Sequence, residues 1–200
     1  GISHWDYFFD PEAWFQANLR VMQDFPDVIW FPSWWSEIGM GAEPSALGTR
    51  MHVYEKRIPD VEHLPFPMDQ LDQLTLPDPR TDGYMPLCLY RFQKLKQRIF
   101  DAGYTIPVVH ARGPLTIASF FRGVTELMVD IVDQPERAKQ LFDMTTELAI
   151  DFMKAQAEVL GDCVEGILVL DDIVGFIGRE HYLEFAHPFL KRICDAFPRD

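Results

Sequence analysis

One long stretch of the chain, from Pro135 to Leu160, carries apolar residues every three to four positions. This spacing places them on one face and predicts an amphipathic helix packed against a core. The stripe consists of Ala138, Leu141, Phe142, Thr145, Leu148, Ala149, Phe152 and Val159. Gly161 ends the helix, and the four consecutive apolar residues 167–170 then predict a short strand buried on both faces, as in parallel sheets.

Similar patterns recur along the rest of the chain. Asp10, Pro11 and Glu12 form a helix-start signal, with an acidic cap followed by Pro at the first helical position. Predicted helices cover residues 11–23, 87–102, 180–185 and 188–197. Predicted strands cover residues 28–31 and 106–112. Strands that alternate with helices indicate an α/β protein with parallel strands.

Residues 39–86 lack a sustained periodicity. Prolines rule out long regular elements in this region, at Pro59, Pro65, Pro67, Pro77 and Pro79. Residues 50–55 alternate in the manner of an exposed strand, which predicts a small hairpin. We interpret 39–86 as an insertion above one domain that spans residues 1–200.

The net charge limits the classes of binding partner, and the cysteine pattern bears on the cellular location. A net charge of −13 argues against nucleic acid and anionic membranes, which bind basic surfaces. The sequence has no apolar run of about 18 residues and no signal-peptide pattern. Cys88, Cys163 and Cys194 show no CxxC spacing, so we expect reduced thiols and a cytoplasmic location.

The ends of the chain indicate a part of a longer protein. It begins without Met and ends directly after a predicted helix, where an α/β chain would next supply a strand. We therefore expect open strand edges and exposed apolar faces in residues 1–200.

Two adjacent carboxylates, Asp171 and Asp172, follow the predicted strand at 167–170. In α/β folds, ligands bind at the carboxyl ends of parallel strands, and successive side chains on a strand point to opposite sides. One Asp would then face a ligand while the other supports the next loop. Alternatively, both acids only solvate the strand end or cap the loop.

Other polar and aromatic residues stand at predicted strand ends. Trp34 and Trp35 form either a ligand wall or part of the core, and His110 and Arg112 either contact a ligand or are structural. Glu37 is either a site acid or a solvated loop residue.

Two further groups of polar residues are weaker candidates. His181 and His187 are six positions apart, the wrong spacing for one helical face to hold a metal. One set of acids is interpreted as a solvated helical face: Asp130, Asp133, Glu136 and Asp143.

Three segments resemble the uroporphyrinogen decarboxylase superfamily. Residues 113–119, GPLTIAS, are similar to its GPFTLAS turn, and residues 44–48, PSALG, resemble its ALGM segment. Residues 170–175, LDDIVG, with the helices at 180–193, are similar to its D-D/S-W-x-G strand end and the helix that follows. The resemblance implies a (β/α)8 TIM barrel, present here as a partial barrel of roughly half to two-thirds.

The decarboxylase branch of this superfamily removes acetate carboxyls from a tetrapyrrole without a cofactor. The resemblance implies an Arg pair outside this chain and an aspartate, a Tyr and a Ser for that activity. At the places of the last three, this chain has the segment 31–34 (FPSW), Phe120 and Asp172. An added carboxylate at Asp172 would repel a polycarboxylate substrate. These departures argue against a porphyrinogen substrate and leave Phe120 as a candidate substrate contact.

The other branch consists of corrinoid-linked methyltransferases. The resemblance implies a zinc ion whose His-x-Cys and later Cys ligands would lie beyond this chain, and a corrinoid carried by a partner protein. Acidic and aromatic residues suit a small cationic or neutral methyl donor or acceptor. Methyl transfer is therefore the working function, with Asp172 and Asp171 as catalytic candidates. The alternatives are a decarboxylase (a lyase) and a non-catalytic binding subunit.

Overall fold

Residues 1–198, which the computed structural model describes, are mainly helical and contain two short sheets. The helices are α1 His4–Phe9, α2 Pro11–Asp24, α3 Ala42–Ala46, α4 Met85–Asp101, α5 Pro114–Arg122, α6 Val124–Asp133, α7 Pro135–Leu160, α8 Arg179–Phe185 and α9 His187–Ala196. The strands are β1 Arg50–His52, β2 Asp60–Glu62, β3 Val108–Arg112 and β4 Gly166–Leu170. Two 3-10 helices cover Met68–Gln73 and Asp172–Phe176. The predicted α/β class is confirmed.

Local signals in the sequence account for several of these elements. The Asp10 side chain accepts a hydrogen bond from the Glu12 N–H and caps α2, as its sequence predicts. The long helix α7 has the predicted bounds and ends at Gly161, whose φ of 78° suits glycine. Its apolar stripe is buried, including Leu141 and Phe142, except for Val159, which is half-buried. Neither α1 nor α6 is predicted from the sequence pattern.

The two sheets differ in direction. β1 and β2 pair antiparallel, which confirms the predicted hairpin within 39–86. β3 and β4 pair parallel, with His110 opposite Leu168 and Arg112 opposite Leu170. The carboxyl ends of β3 and β4 therefore lie side by side, so the candidate residues that follow them are brought together.

The predicted strand at residues 28–31 is wrong. These residues form no ladder with another strand, and Ile29 and Phe31 are 93% and 68% exposed. A strand is stable only with a neighbour that accepts its backbone hydrogen bonds. An apolar run without such a neighbour among residues 1–198 keeps an irregular backbone.

The prediction that β4 is buried on both faces is also wrong. All five of its residues are half-buried, whereas all five of β3 are buried. β4 has β3 as its one neighbouring strand in the described part of the chain, so its opposite edge is open.

The second edge of β3 is closed by side chains. The Gln156 amide accepts from the His110 N–H at 3.2 Å and donates to the His110 carbonyl at 2.7 Å. Glu43 Oε1 accepts from the Arg112 N–H at 2.8 Å. The expected exposure of strand edges therefore holds for β4 and is wrong for β3.

One member of the predicted solvated acidic face is buried. Asp130 is 2% exposed and accepts a hydrogen bond from Arg122 Nε at 2.7 Å. An ionised carboxylate at this depth needs a paired cation, and Arg122 at the end of α5 supplies it.

None of the helices formed by residues 1–198 is both long and apolar enough to cross a bilayer.

Candidate functional site

The side chain of Asp171 lies against the start of α5. Its Oδ1 accepts hydrogen bonds from the Thr116 N–H and hydroxyl, both at 2.8 Å, and its Oδ2 accepts from the Leu115 N–H at 3.3 Å. Gly113 is the N-cap of α5 and has no side chain to satisfy these donors. Asp171 therefore caps α5 from the end of the neighbouring strand, whereas the sequence predicted that one of the two acids supports the loop after its own strand.

Gly113 makes this contact possible. A Cβ atom at this position would lie 2.3 Å from the Asp171 Cβ and 2.5 Å from its Oδ2. The φ of Gly113 is −75°, which any residue can adopt. Space, and not backbone conformation, is what requires glycine here.

Asp171 and Asp172 have different environments. Burial raises the pKa of Asp171 to about 6, although its hydrogen bonds from Thr116 and Leu115 oppose the shift. Asp172 begins the 3-10 helix Asp172–Phe176 and is exposed. Of the two predicted catalytic acids, Asp172 is the one open to a ligand in solution.

Arg112, at the end of β3, is held on three sides. Its Nη2 lies 2.5 Å from Glu37 Oε2, and its guanidinium carbon lies 5.3 Å from the centre of the Trp35 ring. Its backbone N–H donates to Glu43. The pairing of Arg112 with Glu37 shows that Glu37 is not simply a solvated loop acid.

Burial opposes ionisation of the two glutamates beside Arg112. It raises the pKa of Glu37, and the nearby positive charge of Arg112 acts against that shift. It also raises the pKa of Glu43, which is 3% exposed. The positive charge of Arg112 opposes this effect of burial at both glutamates, because it favours their ionised forms.

His110 is 3% exposed, and its ring lies between Trp35, Phe92 and Phe152. Neither ring nitrogen has a hydrogen-bond partner of acceptable geometry among residues 1–198. Burial lowers the pKa of His110 to about 3. A contact with the Ser36 backbone opposes this shift, and the positive charge of Arg112 adds to it. The imidazole is therefore neutral at physiological pH.

A small cavity adjoins His110 and Arg112. Its volume is about 10 Å³, close to the space that one water molecule requires. The residues around it are Trp35, Ser36, Glu37, Met40, Ala42, Glu43, His110, Arg112 and Phe152. It is too small to hold an organic substrate.

The structure separates the remaining aromatic candidates. Trp34 is fully buried, with its ring stacked on Phe15 at 5.4 Å, so it belongs to the core and does not line the site. Trp35 lies beside His110 and Arg112. Phe120 is half-buried on α5.

Three residues that organise this region are not found by sequence reasoning. Glu43 lies in a short helix within an irregular segment, and Gln156 is a polar residue on the buried face of the amphipathic helix α7. Thr116 belongs to the GPLTIAS segment, which is the one signal that could have identified any of them. Their partners are backbone and side-chain groups 46 to 69 positions away along the chain.

The described residues do not form a metal site. Residues 1–198 contain no group of three His, Cys, Asp or Glu side chains placed to hold a metal ion. His181 and His187 lie on different helices, α8 and α9.

Comparisons with known proteins agree on one family. The family model for uroporphyrinogen decarboxylase (URO-D) matches residues 1–200. The uroporphyrinogen decarboxylase of Anaeromyxobacter dehalogenans strain 2CP-C is 26% identical over 132 residues, which is 63% of this chain and 36% of that protein. The enzyme of Anaeromyxobacter sp. strain Fw109-5 is 27% identical over 135 residues, or 64% and 37% of the two chains. These matches span little more than a third of the curated relatives.

A solved structure shares the fold. A methyltransferase from Methanosarcina mazei superposes with a TM-score of 0.72 at 19% identity, over 94% of this chain and 54% of that one. At this identity the likeness concerns the fold alone.

Proposed function

The chain belongs to the uroporphyrinogen decarboxylase family, and we propose that it is part of a methyltransferase of that family. In this proposal β3 and β4 are neighbouring strands of a (β/α)8 barrel whose site lies at their carboxyl ends. The enzyme moves a methyl group between a small substrate and a corrinoid carried by a partner protein. The structural likeness to a methyltransferase supports this architecture.

The charge balance at the ends of β3 and β4 is the observation that carries the proposal. Arg112 is paired with Glu37, and Asp172 adds an exposed carboxylate. A polycarboxylate substrate requires cationic side chains that are not already paired with an acid. Its carboxylates are repelled by the carboxylates of the site. A neutral or cationic methyl compound has no such requirement.

A second arginine close to this region is also engaged. Arg91 is 1% exposed and donates to the Phe8 carbonyl at 2.6 Å, to the Glu37 carbonyl at 3.2 Å and to the Ser36 hydroxyl at 3.3 Å. Its guanidinium therefore supports the backbone beneath the site and is not available to a bound anion.

Each residue of the site has a part in the proposal. Asp172 orients the substrate. Asp171 fixes the start of α5 and so keeps the end of β3 in register with β4. The pair of Arg112 and Glu37 places Trp35 at the site without adding net charge.

The proposed zinc ion is not held by the described residues. Residues 1–198 supply no ligand set for it, so we assign its ligands to a part of the protein outside them and derive no step through it. The corrinoid is likewise proposed to be on a partner protein.

Uroporphyrinogen decarboxylation is the second candidate. The observation that favours it is the identity of 26–27% with two proteins of that name. The residues Phe120 and Asp172 oppose it, because the family resemblance implies Tyr and Ser at their places. A non-catalytic binding role is the third candidate.

The experiment compares the three candidates on the full-length protein. Demethylation of methylcobalamin is followed by its absorbance with a small thiol as the acceptor, and uroporphyrinogen is assayed separately for released carbon dioxide. We expect methyl transfer that depends on protein and acceptor, and no carbon dioxide. Carbon dioxide release without methyl transfer would establish the decarboxylase, and inactivity in both assays with zinc added would favour the binding role.

A further inference from the structure

An aromatic corner with two carboxylates lies on the surface between α1, the start of α2 and the start of α4. We define the aromatic corner as Trp5, Asp6, Phe9, Asp10 and Tyr84. It forms a concavity of about 440 Å³ that is wide open to solvent. It shares no residue with the cavity beside His110.

The three rings form walls at steep angles to one another. The Trp5 and Phe9 ring centres are 4.6 Å apart with an interplanar angle of 88°. Phe9 and Tyr84 are 6.3 Å apart at 58°. Trp5 is 55% exposed. The corner therefore presents aromatic faces to solvent.

Hydrogen bonds hold the corner in shape. Ser3 and Asp6 form a capping box at the start of α1, with the Asp6 N–H donating to Ser3 Oγ at 3.0 Å. The Asp10 side chain caps α2, and the Tyr84 N–H donates to Ser45 Oγ at 2.9 Å. These bonds fix the backbone that carries the three rings.

The carboxylates give the corner a negative charge. Hydrogen bonds from the Ser3 hydroxyl and N–H lower the pKa of Asp6, so it is ionised at physiological pH. Asp10 accepts from the Glu12 N–H through one oxygen only. Neither acid forms an ion pair with a cation of residues 1–198.

We infer that the aromatic corner binds a small organic ammonium ion, with quaternary ammonium compounds as the preferred class. The electron-rich faces of Trp, Tyr and Phe attract a large, weakly hydrated cation, and nearby carboxylates add a long-range attraction. A neutral apolar ligand would use the rings but not the acids. A metal ion is not favoured, because residues 1–198 contain no group of three His, Cys, Asp or Glu side chains placed to hold one. The inference rests on the corner alone and does not depend on the proposed function.

Choline and its neutral analogue 3,3-dimethylbutan-1-ol provide the test, because they have nearly the same shape and differ in charge. Binding to the full-length protein is measured by isothermal titration calorimetry at low and high salt. We expect choline to bind at least about 10-fold more tightly than the alcohol, and more weakly as salt screens the acids.

Variants assign the binding to the corner. Trp5→Leu keeps an apolar side chain and removes the largest ring, and we expect a loss of about 5- to 10-fold. Asp10→Asn keeps the cap of α2, since Asn is a good N-cap, and removes one charge. Phe176→Leu is the control, because Phe176 is an exposed aromatic residue, 72% exposed, outside the corner.

Three outcomes would overturn the inference. The first is equal binding of choline and the alcohol, which would make the corner merely apolar. The second is unchanged choline binding in Trp5→Leu. The third is no choline binding by the full-length protein, which would show that the corner does not hold an ammonium ion.

Discussion

The Asp171 carboxylate and Thr116 join the end of β4 to the start of α5 through two hydrogen bonds, both 2.8 Å long. A backbone N–H and a hydroxyl of the same residue donate to one oxygen of a partly buried acid. This arrangement links the strand that carries Asp172 to the segment that follows Arg112. It makes Asp171 the central structural contact of the candidate site.

Replacing Asp171 by Asn should change how stability depends on pH. The pKa of Asp171 is raised from 3.8 to about 6, so the folded state holds this proton more tightly than the unfolded state. Asp171 therefore makes the free energy of unfolding fall as pH rises from 3.8 to about 6, by on the order of 2–3 kcal/mol. Urea denaturation of both proteins from pH 4 to 7 should show this fall in the wild type relative to Asp171→Asn. Parallel curves would mean that Asp171 is not the buried acid described here.

His110 should contribute a pH dependence of the opposite sign. Its pKa is lowered from 6.5 to about 3, so the unfolded state binds this proton more tightly. The free energy of unfolding should fall for the wild type relative to His110→Leu as pH decreases below 6.5. The same denaturation series measures it, with His181→Leu on α8 as an exposed control. A constant difference between wild type and His110→Leu would contradict a buried neutral imidazole.

Gly113→Ala should destabilise the protein through a steric clash. The new Cβ would meet the Asp171 Cβ at 2.3 Å, and overpacking of this kind costs about 1–3 kcal/mol. Gly175→Ala is the matched control, because a Cβ there has no heavy atom within 4 Å. Thermal unfolding compares the two variants. Equal melting temperatures would show that β4 and α5 can separate at no cost.

Glu37→Gln should leave the Arg112 charge without its carboxylate. Arg112 has a side chain only 10% exposed, so we expect a loss of about 1–3 kcal/mol in the free energy of unfolding. Glu12→Gln breaks the exposed ion pair with Arg98 and should cost less than about 1 kcal/mol. Chemical denaturation at neutral pH measures both. A larger loss of stability in Glu12→Gln than in Glu37→Gln would contradict the expectation that the buried ion pair contributes more.

Asp172→Asn should reduce turnover without reducing stability. Asp172 is exposed and keeps its shape as Asn, so the melting temperature should hold while methyl transfer falls about 10- to 100-fold. The measurement is methyl transfer by the full-length variant beside its melting curve. If Asp172→Asn keeps full methyl transfer and Asp171→Asn loses it, then Asp171 and not Asp172 acts on the substrate.

Local sequence determined the elements whose causes are local. The apolar stripe of α7 fixed its bounds because a helix that packs on a core needs one continuous apolar face. Asp10 and Pro11 fixed the start of α2 through a cap and a preset φ. The placement of Asp171 and Asp172 directly after β4 was also predictable, because β4 ends where its apolar run ends, and the predicted strand at 106–112 already contained His110 and Arg112.

Only the tertiary structure decided the partners of these residues. Residues 28–31 have the pattern of a strand but no neighbouring strand in the described part of the chain, so their apolar character did not produce one. Asp130 was predicted to be solvated, and its burial depends on Arg122 at the end of the preceding helix. Asp171 caps α5 because β4 lies beside β3, which joins residues 55 positions apart. Such contacts depend on how the helices and strands pack. A local pattern of residues cannot predict a contact between residues so far apart in the sequence.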